Sequence, residues 1–298
     1  MECKICETKV ATILGKPRIN KSFPRIKENN YTIVRCKKCS FYYINPVIDL
    51  TQDEWVELYK DDYFENANIT DWQIRLHQSE VISRIKLIKS YSTLNIDNFL
   101  DMGCGEGFVL KEALENGFKP YGLDIADNLD ESLDNVKINF FNGNLFEANY
   151  PNDYFSAIYI DSVLEHVGQP MLVLKEFYRI LKPNGLVFMI VPNEDCLVND
   201  MKKILYTLLF NKSKYGRIKP FVPLYHINGF NNTSLKNAIQ LSGFTVVELT
   251  QFGGNYTFWK ARRKFSKSYF IELLLYLIGL ISIPLNKQIQ LQTIFKKL

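Results

Sequence analysis

The sequence predicts an α/β fold built on a Rossmann-like, doubly wound parallel sheet, and three observations predict it. Residues 99–107, Phe-Leu-Asp-Met-Gly-Cys-Gly-Glu-Gly, read as the end of a buried strand running into a glycine-dense turn. Tyr121-Gly122-Leu123-Asp124 reads as the end of the next strand, its acid 21 residues beyond Gly103. That is about where a doubly wound fold sets a carboxylate against ribose hydroxyls. From there to about residue 195, strand-like runs alternate with helical patterns in the βαβ rhythm of a parallel sheet.

The bulk numbers admit one large domain or two smaller ones. The 298 residues are 47% hydrophobic and 23% charged, an ordinary globular composition. A net charge of +4 without a basic stripe of interleaved aromatics is too little to imply a nucleic-acid partner, and none is expected. The opening Met-Glu-Cys-Lys-Ile-Cys carries an acid and no apolar segment, so it is not a secretory signal and the expected compartment is the cytoplasm.

Residues 1–45 are expected to form a zinc ribbon. Cys3 and Cys6 make one C-x-x-C pair and Cys36 and Cys39 another, 29 residues apart. Two such knuckles supply the four thiolates that a closed, structural zinc site uses. The gap exceeds the usual ~15–20 residues, which a long hairpin tolerates because loop-closure cost grows slowly with length. The other reading is four free or redox-active thiols.

Residues 46–95 read as a helical cap over the site. Trp55, Leu58 and Tyr59, then Trp72, Leu76, Ile82, Ile85 and Ile88, recur at helical spacing, with Tyr63 and Phe64 between them. His77 is expected at the surface.

Residues 96–262 form the sheet domain. In its first turn Gly103, Gly105 and Gly107 let a ligand lie against bare backbone. A dinucleotide fingerprint needs G-x-G-x-x-G, and here the third glycine comes one residue early. Asp101, two residues before the first glycine, repels a diphosphate and attracts an ammonium. S-adenosylmethionine has no phosphate and carries an amino group on its methionine arm, so Asp101 suits it better than NAD.

With these residues the chain resembles the class I S-adenosylmethionine-dependent methyltransferases. The resemblance continues through a strand at 137–141, through Asn144 and Leu145 where related enzymes contact adenine, and through a strand at 155–160 ending at Asp161. A helix at 170–181, the Lys182-Pro183-Asn184-Gly185 turn and a strand at 186–191 follow, and a last strand pair is expected at 245–250 and 256–261. Asp101, Gly103, Gly105, Asp124, Asn144, Leu145 and Asp161 are thereby the expected cofactor-binding residues. A ribbon followed by Phe41-Tyr42-Tyr43-Ile44-Asn45-Pro46 is similar to one on methyltransferases of polysaccharide and deoxysugar pathways.

An insertion at 195–230 places Met201, Ile204, Leu205, Leu208 and Leu209 on one helical face and Lys202, Lys203, Tyr206 and Thr207 on the other. It either covers the active site or lies on a bilayer. In the tail, 263–298, the apolar run Leu273–Ile283 spans about 16 Å as a helix, short of a bilayer's ~30 Å core. Lys260, Arg262, Arg263, Lys264 and Lys267 precede it. Such a helix suits either peripheral contact with an anionic membrane or packing against protein.

Methyl transfer from a sulfonium is an in-line displacement, so the protein aligns a nucleophile and removes its proton. The candidate base is His166 or His226, each otherwise a buried structural histidine. Ubiquinone-pathway O-methyltransferases resemble the chain at Val163-Leu164-Glu165-His166, where a preceding acid completes a magnesium site. Ser162 holds that position here, a poor hard-cation ligand. Sugar C-methyltransferases resemble it at the ribbon and around His226, but carry a Glu where this chain has Tyr225, and a further C-terminal domain.

The expected function is therefore O-methylation of a sugar or glycan precursor by S-adenosyl-L-methionine. The alternatives are methylation of a quinone-type or other small molecule, a sugar C-methyltransferase, and a non-catalytic zinc-ribbon interaction protein. An NAD-dependent oxidoreductase is disfavoured by the glycine spacing.

Overall fold

The computed structural model describes residues 1–17, 31–48, 51–60, 71–94, 97–133, 136–210, 226–253 and 267–298. The expected residues Tyr63, Phe64, Tyr225, Lys260, Arg262, Arg263 and Lys264 and the strand at 256–261 lie outside them.

Short β-rich segments pair first. Strands β1 (Ala11–Gly15), β2 (Thr32–Cys36) and β3 (Tyr42–Asn45) form an antiparallel meander, and β9 (Asn228–Gly229) adds to its edge. Cys36 ends β2, and the turn through Cys39 leads into β3. That turn folds tightly because Ser40 takes a left-handed φ of 62° and its amide donates to the Cys36 carbonyl. The same device closes the first knuckle, with Glu7 at φ 56° donating to Cys3.

The second sheet has seven strands in the order β10-β11-β8-β7-β4-β5-β6. They are β4 (Asn98–Met102), β5 (Lys119–Asp124), β6 (Asn139–Asn142), β7 (Phe155–Asp161), β8 (Leu181–Pro192), β10 (Thr245–Phe252) and β11 (Gln290–Lys296). Pairings among β4 to β8 are parallel, as the βαβ alternation predicts. Such strands are buried on both faces and therefore read as continuous apolar runs, and β4 has no exposed residue.

The last strand departs from expectation. The strand paired with β10 is residues 290–296 of the tail, running antiparallel to both β10 and β8. Leu291, Ile294 and Phe295 are fully buried there. Residues 290–296 of the tail are thus part of the sheet, between β10 and β8.

Helix α1 (Gln52–Lys60) and helix α2 (Asp71–Tyr91) precede β4; α3 (Phe108–Glu115), α4 (Pro170–Ile180), α5 (Leu197–Phe210), α6 (Asn232–Leu241) and α7 (Lys267–Ser282) follow. Helix α2 buries Val81, Ile85 and Ile88 in the core layer that also holds Phe99, Val109 and Tyr159. Leu76 and Ile82, expected inside, are exposed. The buried face runs through Val81, Arg84, Ile85 and Ile88.

Helix α5 turns its apolar face away from the body. Met201, Ile204, Leu205 and Leu208 face outward, while Lys202 and Lys203 are half-buried against the body.

Candidate functional site

Asp101 ends its run in β4, Asp124 closes β5 and Asp161 closes β7. All three stand at the carboxyl edge of the sheet, where β4 has β5 on one side and β7 on the other. Ligands of open parallel sheets bind at such a switch point. A cavity of about 840 Å³ opens there, lined by all seven expected cofactor residues and by His166.

Left-handed glycines build its floor. Gly103 has φ +81°, and a β-carbon on it would stand 2.3 Å from Val163 Cγ2. Gly105 has φ +50° with no atom within 4 Å of where a β-carbon would sit, so bare main chain faces open space. The turn is strapped to β5 by the Gly103 amide, which donates to the Leu123 carbonyl at 2.7 Å.

The acids differ in their surroundings. Asp101 is buried, and its Oδ2 has no hydrogen-bond partner among the described residues. Burial, and then the charges of Asp124 and Asp161, hold its carboxyl well above the usual range. Asp124 is presented by main chain: Gly105 N donates to its Oδ2 at 2.9 Å and Ala126 N to its Oδ1 at 3.0 Å. Each oxygen keeps a lone pair for a hydroxyl donor. Asn144 turns its side chain to its own loop, where Oδ1 accepts from the amides of Phe146 and Glu147.

Asp161 is held by a residue that the sequence reading passed over. Arg84 of α2 pairs with its Oδ2 at 2.8 Å and donates to the Tyr159 hydroxyl at 2.9 Å. The signal was present: an arginine three residues after Val81 and one before Ile85 lies on the apolar face of its helix. Trp55, His77, Phe108 and Phe146 also line the cavity. His77 is exposed as expected, yet at its mouth, edge-on to Phe108 with centroids 5.8 Å apart.

The two histidines of interest come together from loops 60 residues apart in the chain. Their rings meet edge-on with centroids 4.8 Å apart. His166 lines the cavity, and His226 stands beside it away from the lining. His226 Nδ1 is buried without a partner among the described residues, and burial, then His166, depresses its pKa to about 3. Glu165 Oε1 lies 3.9 Å from His166 Nε2, and both its carboxyl oxygens are buried without a hydrogen-bond partner among the described residues. Burial pushes its pKa up to about 8.

Two side-chain groups among the described residues have metal-ligating donors within 4.8 Å of one another: Cys3, Cys6, Cys36 and Cys39, and Glu165, His166 and His226. The thiols are not disulfide-bonded. Cys3 and Cys39 sulfurs lie 3.4 Å apart and Cys6 and Cys36 sulfurs 3.6 Å apart. A tetrahedron of ~2.3 Å zinc–sulfur bonds has edges near ~3.8 Å, so the four thiols fit that ion.

Comparison with known proteins decides the family. The profile of the methyltransferase domain matches residues 71–249, more than half of the chain and all of the cavity floor. The chain belongs to the S-adenosylmethionine-dependent methyltransferase family. A demethylmenaquinone methyltransferase from a Geobacillus strain is 28% identical over 131 residues, 40% of this chain and 55% of that protein. A ubiquinone biosynthesis O-methyltransferase from Coxiella burnetii is 26% identical over 132 residues, 42% of this chain and 54% of that one. The chain thus spans about half the length of the curated relatives it matches. Among solved structures, a SAM-dependent methyltransferase from Archaeoglobus fulgidus matches with a TM-score of 0.50 at 21% identity, covering 74% of this methyltransferase and 94% of that chain. The likeness shows the fold.

Proposed function

We propose that this methyltransferase O-methylates a sugar or glycan precursor with S-adenosyl-L-methionine. The observation that carries the reading is that Asp101, the Gly103–Gly105 main chain, Asp124 and His166 all line one cavity. When bound, the cofactor supplies an electrophilic methyl group, and the remaining work falls to the chain. Asp101, with a buried and unpaired oxygen, takes the ammonium of the methionine arm, since a buried carboxylate is tolerated only when paired. Asp124 accepts from the ribose hydroxyls. The Asn144–Phe146 loop walls the adenine. Asp161, neutralised by Arg84, fixes the edge between cofactor and acceptor.

His166 receives the acceptor's proton, and His226 sets its orientation from behind. A group with a pKa near 3 is a weak base at neutral pH, which suits His226 to a supporting position and His166 to proton transfer. Cys3, Cys6, Cys36 and Cys39 hold a structural zinc ion, and a four-thiolate shell leaves no position open for catalysis. The ribbon and the neighbouring His226 support a sugar acceptor.

A quinone-type acceptor is the second reading, favoured by the apolar lining from Trp55, Phe108, Val167 and Val173. Single-turnover assays with labelled S-adenosylmethionine against nucleotide-activated sugars, lipid-linked sugars and catechol-type quinols separate the two. Transfer to a sugar hydroxyl is expected. Transfer confined to the quinol would replace the sugar reading, and absence of cofactor binding would remove both.

A further inference from the structure

Helix α5 is amphipathic, and the fold presents it inside out. Its lysine side is turned to the body, where Lys203 pairs with Asp200 at 3.2 Å and lies 6.0 Å from the Tyr42 ring centroid. Its aliphatic side faces away: Ile204 is 60% exposed and Leu208 76%. Soluble helices bury the apolar stripe, so this orientation needs a second surface to explain it.

Helix α7 packs against α5 and repeats the pattern, with Leu274, Leu277 and Ile281 about half exposed. The two are tied at Lys287: its ammonium pairs with Asp200, and its carbonyl accepts from the Leu197 amide at 2.8 Å. They form one platform. No helix among the described residues is long and apolar enough to cross a membrane.

Charge selects the occupant. The stretch 211–225, which follows α5 directly in the chain, holds Lys212, Lys214, Arg217 and Lys219 and no acid. The stretch 254–266, which leads directly into α7, holds Lys260, Arg262, Arg263 and Lys264 and again no acid. Together they carry more positive charge than the whole chain's net +4. Protein interfaces are depleted in lysine, which speaks against a second copy of the chain as the occupant. An apolar face combined with a polybasic stretch is the two-signal arrangement that holds a protein on an anionic bilayer.

We propose that the α5–α7 face docks the enzyme on the surface of an anionic lipid membrane, without spanning it. This goes beyond the methyl-transfer reading and does not depend on the acceptor. The test is flotation of the full chain with vesicles of phosphatidylcholine alone and of phosphatidylcholine with phosphatidylglycerol, alongside a Leu208→Glu/Leu277→Glu variant. Wild type is expected to float with the anionic vesicles and at least about tenfold less with the neutral ones. The double variant should lose association while keeping its melting temperature and its affinity for S-adenosylmethionine, because both positions are exposed and outside the cavity. Absence of flotation with anionic vesicles, equal flotation of the variant, or a dimer in light scattering that the variant dissolves would each overturn the proposal; the last would name a second copy as the occupant.

Discussion

The amide of Ile44, in the ribbon strand, donates to the carbonyl of Ile227 at 3.0 Å, and Ile227 in turn donates to the carbonyl of Glu165 at 3.0 Å. The Cys36–Cys39 turn therefore reaches the cavity wall through two backbone hydrogen bonds. Asn228 reinforces the link, pairing with Tyr43 and donating to the Val167 carbonyl. The ribbon thereby sets where His226 stands.

Loss of the proposed zinc ion should accordingly be felt at the histidines. Cys39→Ser, or chelation of the wild type, is expected to take bound zinc from one per chain to none and to lower the melting temperature by several degrees, since metal binding is folding energy. Methyl transfer should fall at least about tenfold, with cofactor affinity changed far less. Calorimetry, metal analysis and turnover on the same sample check this; unchanged turnover in zinc-free protein would disconnect the ribbon from the site.

Asp101 predicts proton-linked cofactor binding. Burial, then Asp124 and Asp161, hold its carboxyl well above the usual range, and an ammonium is met by the ionised form. Affinity should therefore rise with pH through its raised pKa, with a proton released on binding. The folded pKa is raised, so the free protein loses stability as pH climbs from the unfolded value to the folded one. Titration calorimetry in buffers of different ionisation enthalpy reads the proton directly. Asp101→Asn should weaken binding by about ten- to a hundredfold without loss of stability, because an unpaired buried carboxyl is itself costly.

The two glycines should respond differently. Gly103→Ala sets a methyl against Val163 at a left-handed φ, costing roughly 1–2 kcal/mol for the backbone alone plus the clash. Adding Val163→Ala should recover the clash and leave the backbone cost. Gly105→Ala carries a similar backbone cost at φ +50° but meets no protein atom, so it is spared the clash, and its methyl enters the cavity and lowers affinity in addition. Thermal melts with and without cofactor distinguish these outcomes, and equal effects at both positions would remove Gly105 from the binding floor.

Arg84→Met keeps the apolar stem and discards the charge. With Asp161 left partly buried without its cation, a loss of about 1–3 kcal/mol is expected by denaturant titration. Asp161→Asn in the same background should return part of it, since the orphaned charge is then gone. Additive losses would show that the two residues do not act as a pair.

His166→Gln should depress turnover by about 10²–10⁴-fold, the usual contribution of a positioned base. His226→Gln should cost less and shift the pH–rate profile, as expected of a neighbour that orients the base. A larger loss at His226 would exchange the two assignments.

The residues near one another in the chain were legible before any coordinates. The acid–glycine turn, the second acid 21 residues on and the βαβ alternation depend on local spacing and on period, and these suffice to predict a parallel sheet with a cofactor edge. The four cysteines were legible too, because knuckle spacing is a local property. Tertiary structure alone decided the rest. Gln290–Lys296 became a central strand because two edges were open to it, a condition that lies in no window of the sequence. Helix α5 turned its apolar face outward although its pattern says only that two faces exist and not which one meets the body. Arg84 found Asp161, and His166 found His226, across 77 and 60 residues. Periodicity encodes the faces of each element; the pairing of those faces is settled only when all the elements compete to bury them at once.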